Sequence, residues 1–240
     1  MPNYTITIHI SPDDVDTLIK GKYALYAFKA IASNGMGGFP IWYKLDTSQL
    51  STQIVVDWID EFKAYNSVSK IENGEEIFIG NSLRTELGYI IDIDKYGNLS
   101  SSSKGFGDLI AFRNNSNIEY TVGFTQTALH SNGKENIVCA FYLFGGGTAR
   151  VLTPVNKVAL IFSSENFQMG TVIERAMSGG ILVDLDGADN NNREINFSVN
   201  NGWASNNYPW VENFNYNTDL SLLLTENIAT IYVEDIWIII

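Results

Sequence analysis

The sequence is short of the groups from which most catalytic centres are built. It holds one cysteine, Cys139, and two histidines, His9 and His130, in 240 residues. A single cysteine excludes an intrachain disulfide, so the fold must be held by its core. Cys139 lies in the apolar run Ile137-Val138-Cys139-Ala140-Phe141, where burial raises a thiol's pKa and leaves it inert. A zinc site needs clustered His and Cys, which the chain does not have. There is no Gly-x-Ser-x-Gly nucleophile elbow. Gly145–Gly147 with Thr148 and Arg150 lacks the Gly-Lys-Ser/Thr ending of a phosphate cradle. Spacing alone singles out no carboxylate pair for glycoside hydrolysis. The expectation is a protein that is not an enzyme.

Positive charge is scarce too. Lys and Arg number 15 against 27 Asp and Glu, a net charge of −12. A phosphate backbone is bound by clustered Lys and Arg that displace its counterions, and no basic run occurs. Nucleic acid is therefore not an expected partner, and neither is an anionic lipid surface. A neutral ligand, a cation or a neutral membrane surface stays open. Long apolar runs are also missing, since none approaches the ~18 residues a spanning helix requires. The first ten residues do not set a charged segment before an apolar one, as a signal peptide does. The expected location is cytoplasmic, or outside the cell after release without a cleaved signal peptide.

What the chain does have is period-two alternation, and this assigns it to the all-β class. Tyr4, Ile6, Ile8 and Ile10 share one face of a first strand. Ser11-Pro12-Asp13-Asp14 then marks the start of one short helix near residues 12–20, with Ser11 as N-cap, Pro12 at the first position and Gly21 as the stop. Strands follow near Tyr23–Ile31, Ile41–Leu45, Gly88–Asp94, Asp108–Arg113, Tyr120–Thr127, Ile137–Phe144, Lys157–Ser163, Gly180–Asp186, Ser221–Leu224 and Ala229–Ile240. The segment Ile54–Tyr65 fits either helical or strand spacing, and its Val and Trp content favours strand. Asn73-Gly74 between two alternating arms predicts a hairpin over Ser67–Gly80.

Asn98–Gly105 carries no side chains fit for a core and reads as a linker. It divides the chain into an N-terminal β lobe, residues 1–104, and a C-terminal β lobe, residues 105–240. Gly88–Asp94 recurs as Gly180–Asp186, and Tyr26-Ala27-Phe28 as Cys139-Ala140-Phe141. Chance and tandem duplication both account for this, and duplication gives two similar β-sandwich lobes.

Two constellations carry recognition chemistry. Asp184 and Asp186 share one face of a strand, and Gly187 turns the chain so that Asp189 and Asn190 offer further oxygens, a set suited to Ca²⁺. The plainer alternative is a solvated acidic turn. The second constellation is Trp203, Asn206, Asn207, Tyr208 and Trp210, where aromatic faces beside amides suit a glycan or a neutral membrane surface. The alternative is a cluster of rings capping the core under a long loop. The expected function is non-enzymatic binding through these loops. Alternatives are a toxin-like membrane-interacting protein that forms pores, and a structural protein that self-assembles into homo-oligomers through its C-terminal strand, Ile236–Ile240.

Overall fold

A computed structural model describes residues 3–103, 107–129 and 136–228. The terminal strand expected over Ala229–Ile240, with the oligomer interface assigned to it, and His130 lie outside the described residues.

Strand β1 (Asn3–Ile10) runs into helix α1 (Pro12–Lys20). Ser11 caps that helix by accepting from Asp14 N, and Asp13 and Asp14 sit at the positive end of its dipole. Next come β2 (Ala24–Ser33), β3 (Tyr43–Leu45), β4 (Gln53–Ser67), β5 (Asn81–Thr85), β6 (Tyr89–Ile93) and β7 (Leu99–Ser103). The chain continues through β8 (Ile110–Asn114), β9 (Tyr120–Ala128), β10 (Phe141–Leu143), β11 (Thr148–Ser163) and β12 (Gly180–Asp184). It closes with β13 (Asn192–Ser198), β14 (Gly202–Ala204), β15 (Val211–Phe214), α2 (Leu220–Leu224) and β16 (Thr225–Asn227). The protein is all-β, and among the described residues no helix is long and apolar enough to cross a membrane.

The strands form two sheets. The seven-stranded sheet is ordered β10-β9-β4-β1-β13-β14, with β5 beside β4; the nine-stranded sheet is ordered β15-β12-β11-β8-β6-β7, with β2 on β11 and both β3 and β16 on β2. One apolar core joins them. Ile6, Val56, Trp58 and Phe124 enter it from the first sheet, and Phe28, Leu160, Phe162 and Ile181 from the second. β1 and the first half of β4 turn alternate side chains inward, as the sequence pattern has it, whereas β2, β9 and β12 are buried on both faces.

Residue 104 is not a boundary between sheets. β1 pairs with β13, β4 with β9, β2 with β11 and β6 with β8, so both halves of the chain build both sheets. The segments that resemble one another occupy unlike places: β6 runs parallel to β8, whereas β12 runs antiparallel to β11. The expected linker also gives way, because Leu99–Ser103 is strand β7, paired with β6 from Tyr89 to Ile93. Backbone hydrogen bonds make a strand there without help from the serine side chains.

Three local expectations change. Ser221–Leu224 lies within α2 and not in a strand, because Asp219 accepts from Leu222 N and starts a helix. Asn73-Gly74 does turn, with Gly74 at φ 85. Its arms form no strand ladder; the turn and the second arm bond instead to Gly170–Val172, through Gly74 N to Val172 O and Ile77 N to Gly170 O. Lys157–Ser163 is the second half of β11, which begins at Thr148. Ile54–Tyr65 is strand, inside β4, and the register slips between Trp58 and Phe62.

That bulge points Asp60 toward the core beside a cation that the strand pattern concealed. Lys29 on β2 is 1% exposed. Its Nζ lies 3.9 Å from the centre of the Trp58 ring and 5.3 Å from that of Trp42. Burial lowers its pKa from 10.5 to about 7, although the Asp60 carboxylate works the other way. Asp60 is itself pushed upward by burial and accepts from Gln126 Nε2 at 3.1 Å. Cys139 is fully buried, and its thiol is pushed up to about 12 by that burial.

Candidate binding site

The acidic turn and the aromatic stretch come together because β12 lies next to β15. Val183 pairs with Val211, and Asp184 N donates to Trp210 O at 2.8 Å. Arg193, near the start of β13, ties the two. Its Nε donates to Asp184 O and its Nη2 to Asp186 O, each at 3.3 Å. Its guanidinium carbon lies 4.7 Å from the centre of the Trp210 ring, a cation–π contact. Trp210 also stacks on Tyr208, with ring centres 4.7 Å apart and planes 12° from parallel. Trp210 is half-buried and Tyr208 is 44% exposed.

Local backbone chemistry sets this platform. Asn206 and Asn207 both have positive φ, 47 and 56, and Tyr208 N donates to Ser205 O at 2.9 Å. This is a type I′ turn, which asparagine tolerates better than other non-glycine residues. Both asparagines are exposed and hold the rings in place by shaping the turn. Trp203 is not part of the platform. It is 6% exposed and stacks on Phe162 at 5.3 Å, with Phe197 across its edge at 4.9 Å. Trp203 therefore belongs to the core, as the capping alternative has it.

The acidic turn is already engaged. Asp184 Oδ1 accepts from Asp186 N at 2.8 Å, and its Oδ2 lies 3.2 Å from Lys157 Nζ. Lys157 also meets Glu226 at 2.6 Å; the hydrogen bond to Glu226 is the main cause of its raised pKa, with Asp184 adding to it. Asp186 Oδ1 accepts from Asn156 Nδ2 at 3.2 Å. Asp189 and Asn190 stand exposed on a short 3₁₀ turn, with Asn190 at φ 52. An ammonium thus faces the Asp184 carboxylate. Among the described residues no group of three or more His, Cys, Asp or Glu side chains gathers to hold a metal ion. In the turn after β6, Asp92 pairs with Arg113, and Asp94 accepts from Asn98, which lowers its pKa.

No family model matches the chain, and no curated protein and no solved structure matches it.

The platform offers two flat rings, one of them partly open, next to the exposed amides of the Asn206-Asn207 turn, which accept or donate hydrogen bonds. That is the chemistry for stacking on a C–H face while meeting hydroxyl groups. Sequence reasoning missed Arg193, Asn156 and Lys157. No spacing signal marks them, because only strand pairing brings them to Asp184 and Trp210. His9 bonds Glu194 at 3.1 Å on the outer face of the sheet. A separate cleft of about 630 Å³, lined by Leu18, Tyr23, Phe162, Phe197 and Val199, opens beside α1.

Proposed function

We propose that the protein is a non-enzymatic binding protein that recognises a neutral glycan through the Tyr208–Trp210 platform. The observation that carries this reading is the parallel ring stack, exposed at Tyr208, with the Asn206-Asn207 turn before it and Arg193 joining Trp210 to the backbone of Asp186. A sugar's hydroxyls find partners in the asparagine amides, and its C–H face finds the ring. The net charge of −12 favours an uncharged ligand over a sulfated or phosphorylated one. Ca²⁺ is not required, since Lys157 already neutralises Asp184.

The test is a glycan array probed with the wild-type protein and with Tyr208→Ala. Neutral glycans should be retained by the first and bound about tenfold more weakly by the second, the loss of one stacking face. Retention should persist in EDTA. A blank array, or equal binding by both proteins, would remove the reading.

A further inference from the structure

The cleft of about 630 Å³ beside α1 is built by the fold itself. Leu18 and Phe162, 2% and 3% exposed, are core residues that also line it. Phe197 adds a ring held 4.6 Å from that of Phe162 and 4.9 Å from that of Trp203. Tyr23 and Val199 complete the apolar lining. Val199 N donates to Asp14 Oδ1 at 3.0 Å, which ties the turn after β13 to α1. Gly179 and Gly202 lie on the cleft as well. A Cβ on Gly202 would meet nothing within 4 Å, and one on Gly179 only Phe214 O at 3.6 Å, so no side chain narrows the cleft at these points. Its walls are tied before any ligand arrives, and little ordering is left for binding to overcome.

The polar groups on the lining divide into two sets. Thr17 and Ser178 are engaged: Thr17 Oγ1 donates to Asp13 O at 2.8 Å and Ser178 Oγ to Phe162 O at 2.7 Å. Lys20 Nζ and Tyr23 Oη, which also line the cleft, have no hydrogen-bond or ion-pair partner among the described residues. An entering molecule therefore meets an apolar surface and two free donors, one of them cationic.

From this we infer that the cleft binds a small apolar monocarboxylate, with its body on the rings and its carboxylate against Lys20 and Tyr23. Size selects a small molecule. The volume falls within the about 300–1,000 Å³ of small-molecule sites, and the 11 residues that line the cleft are fewer than the about 20–30 a protein interface engages on each side. Charge selects the head group. An amine would face the like charge of Lys20, and an alcohol would leave that ammonium without a counter-ion. The carbonyls that end α1 do not oppose an anion, because Thr17 O, Leu18 O and Ile19 O accept from Gly21 N, Tyr23 N and Lys22 N. Asp13 and Asp14 stand in the first turn of α1, at the far end from Lys20, and Asp14 is taken up by Ser11 and Val199 N. Asp16, one turn before Lys20, forms no ion pair with it. The net charge of −12 acts on an anion at long range, where salt screens it beyond about 8 Å. The apolar body supplies most of the affinity, and the single charge orients it.

Isothermal titration calorimetry of the full chain with decanoate, naphthylacetate and decanol tests this. At least one of the two acids should bind, with a negative heat-capacity change from burial of its apolar body. A preference for decanoate marks an aliphatic ligand, and one for naphthylacetate an aromatic ligand. Decanol should bind about tenfold more weakly than the preferred acid, having no charge for Lys20. Lys20→Met and Tyr23→Phe should each weaken the acid about fivefold, and Lys20→Met should leave decanol unchanged. The cleft and the Tyr208–Trp210 platform have no residue in common, so this result is independent of the glycan array. Absence of binding by both acids overturns the inference. So does decanol binding as tightly as the acids, or acid binding that ignores both substitutions.

Discussion

Replacing Lys29 by methionine should stabilise the protein at neutral pH. In the folded state the amine gives up its hydration between two indole rings, and its pKa falls from 10.5 to about 7. That fall corresponds to about 5 kcal/mol of stability given up below pH 7. Contact between the ammonium and the Trp58 and Trp42 rings returns about 2 kcal/mol. Methionine has a similar length, no charge to desolvate and a thioether that packs well on aromatic rings. Asp60 loses the cation that favours its carboxylate, which takes back part of that difference, so the expected gain for Lys29→Met is about 1–3 kcal/mol at pH 7. Its pH dependence has a definite sign. Between pH 7 and 10.5 the unfolded chain holds the proton that the folded chain has released, so wild-type stability gains as pH rises through that window. Below pH 7 both states are protonated and the penalty is complete. Urea unfolding of both proteins at several pH values should show a gap that is widest at or below pH 7 and shrinks toward pH 10.5. A variant that is less stable at pH 7, or a gap that ignores pH, would refute the reasoning.

Other outcomes follow from single groups. Asn114→Ala removes the buried amide that donates to Ile118 O and Leu143 O and the acceptor of Ser116 N and Oγ; thermal unfolding should show a loss of about 3 kcal/mol. Gly97 has φ 84, and a Cβ there would lie 2.6 Å from Tyr120 Oη; Gly97→Ala should cost about 1–3 kcal/mol in a urea titration. Trp203 Nε1 is buried without a partner, so Trp203→Phe should cost far less than the about 3–5 kcal/mol expected for Trp203→Ala. Cys139 should ignore a thiol reagent in the folded protein and react once urea exposes it.

β1 was legible because it alternates, with Ile6 and Ile8 inward, and β2 and β12 because apolar residues dominate them, Lys29 being the exception inside β2. The capping of α1 by Ser11 was legible for the same local reason. β7 was not, because a serine run has no alternation, and its pairing with β6 uses backbone groups alone. The ambiguity of Ile54–Tyr65 has a structural origin in the bulge after Trp58, which interrupts the inward set at Asp60. Long-range pairing was beyond reach. The parallel match of β1 with β13 joins Thr5 to Asn192, across the division expected at residue 104. Of the site, Tyr208 and Trp210 were readable as aromatics beside turn residues. Arg193 became part of it only through folding, and Trp203 left it because alternation in β14 sends that ring inward.

The most direct measurement is saturation-transfer NMR with neutral oligosaccharides on the wild type and on Tyr208→Ala. Magnetisation should pass from the protein to the sugar's C–H protons in the first sample and fade in the second. Equal transfer in both, or none in either, would contradict a binding platform built on these two rings.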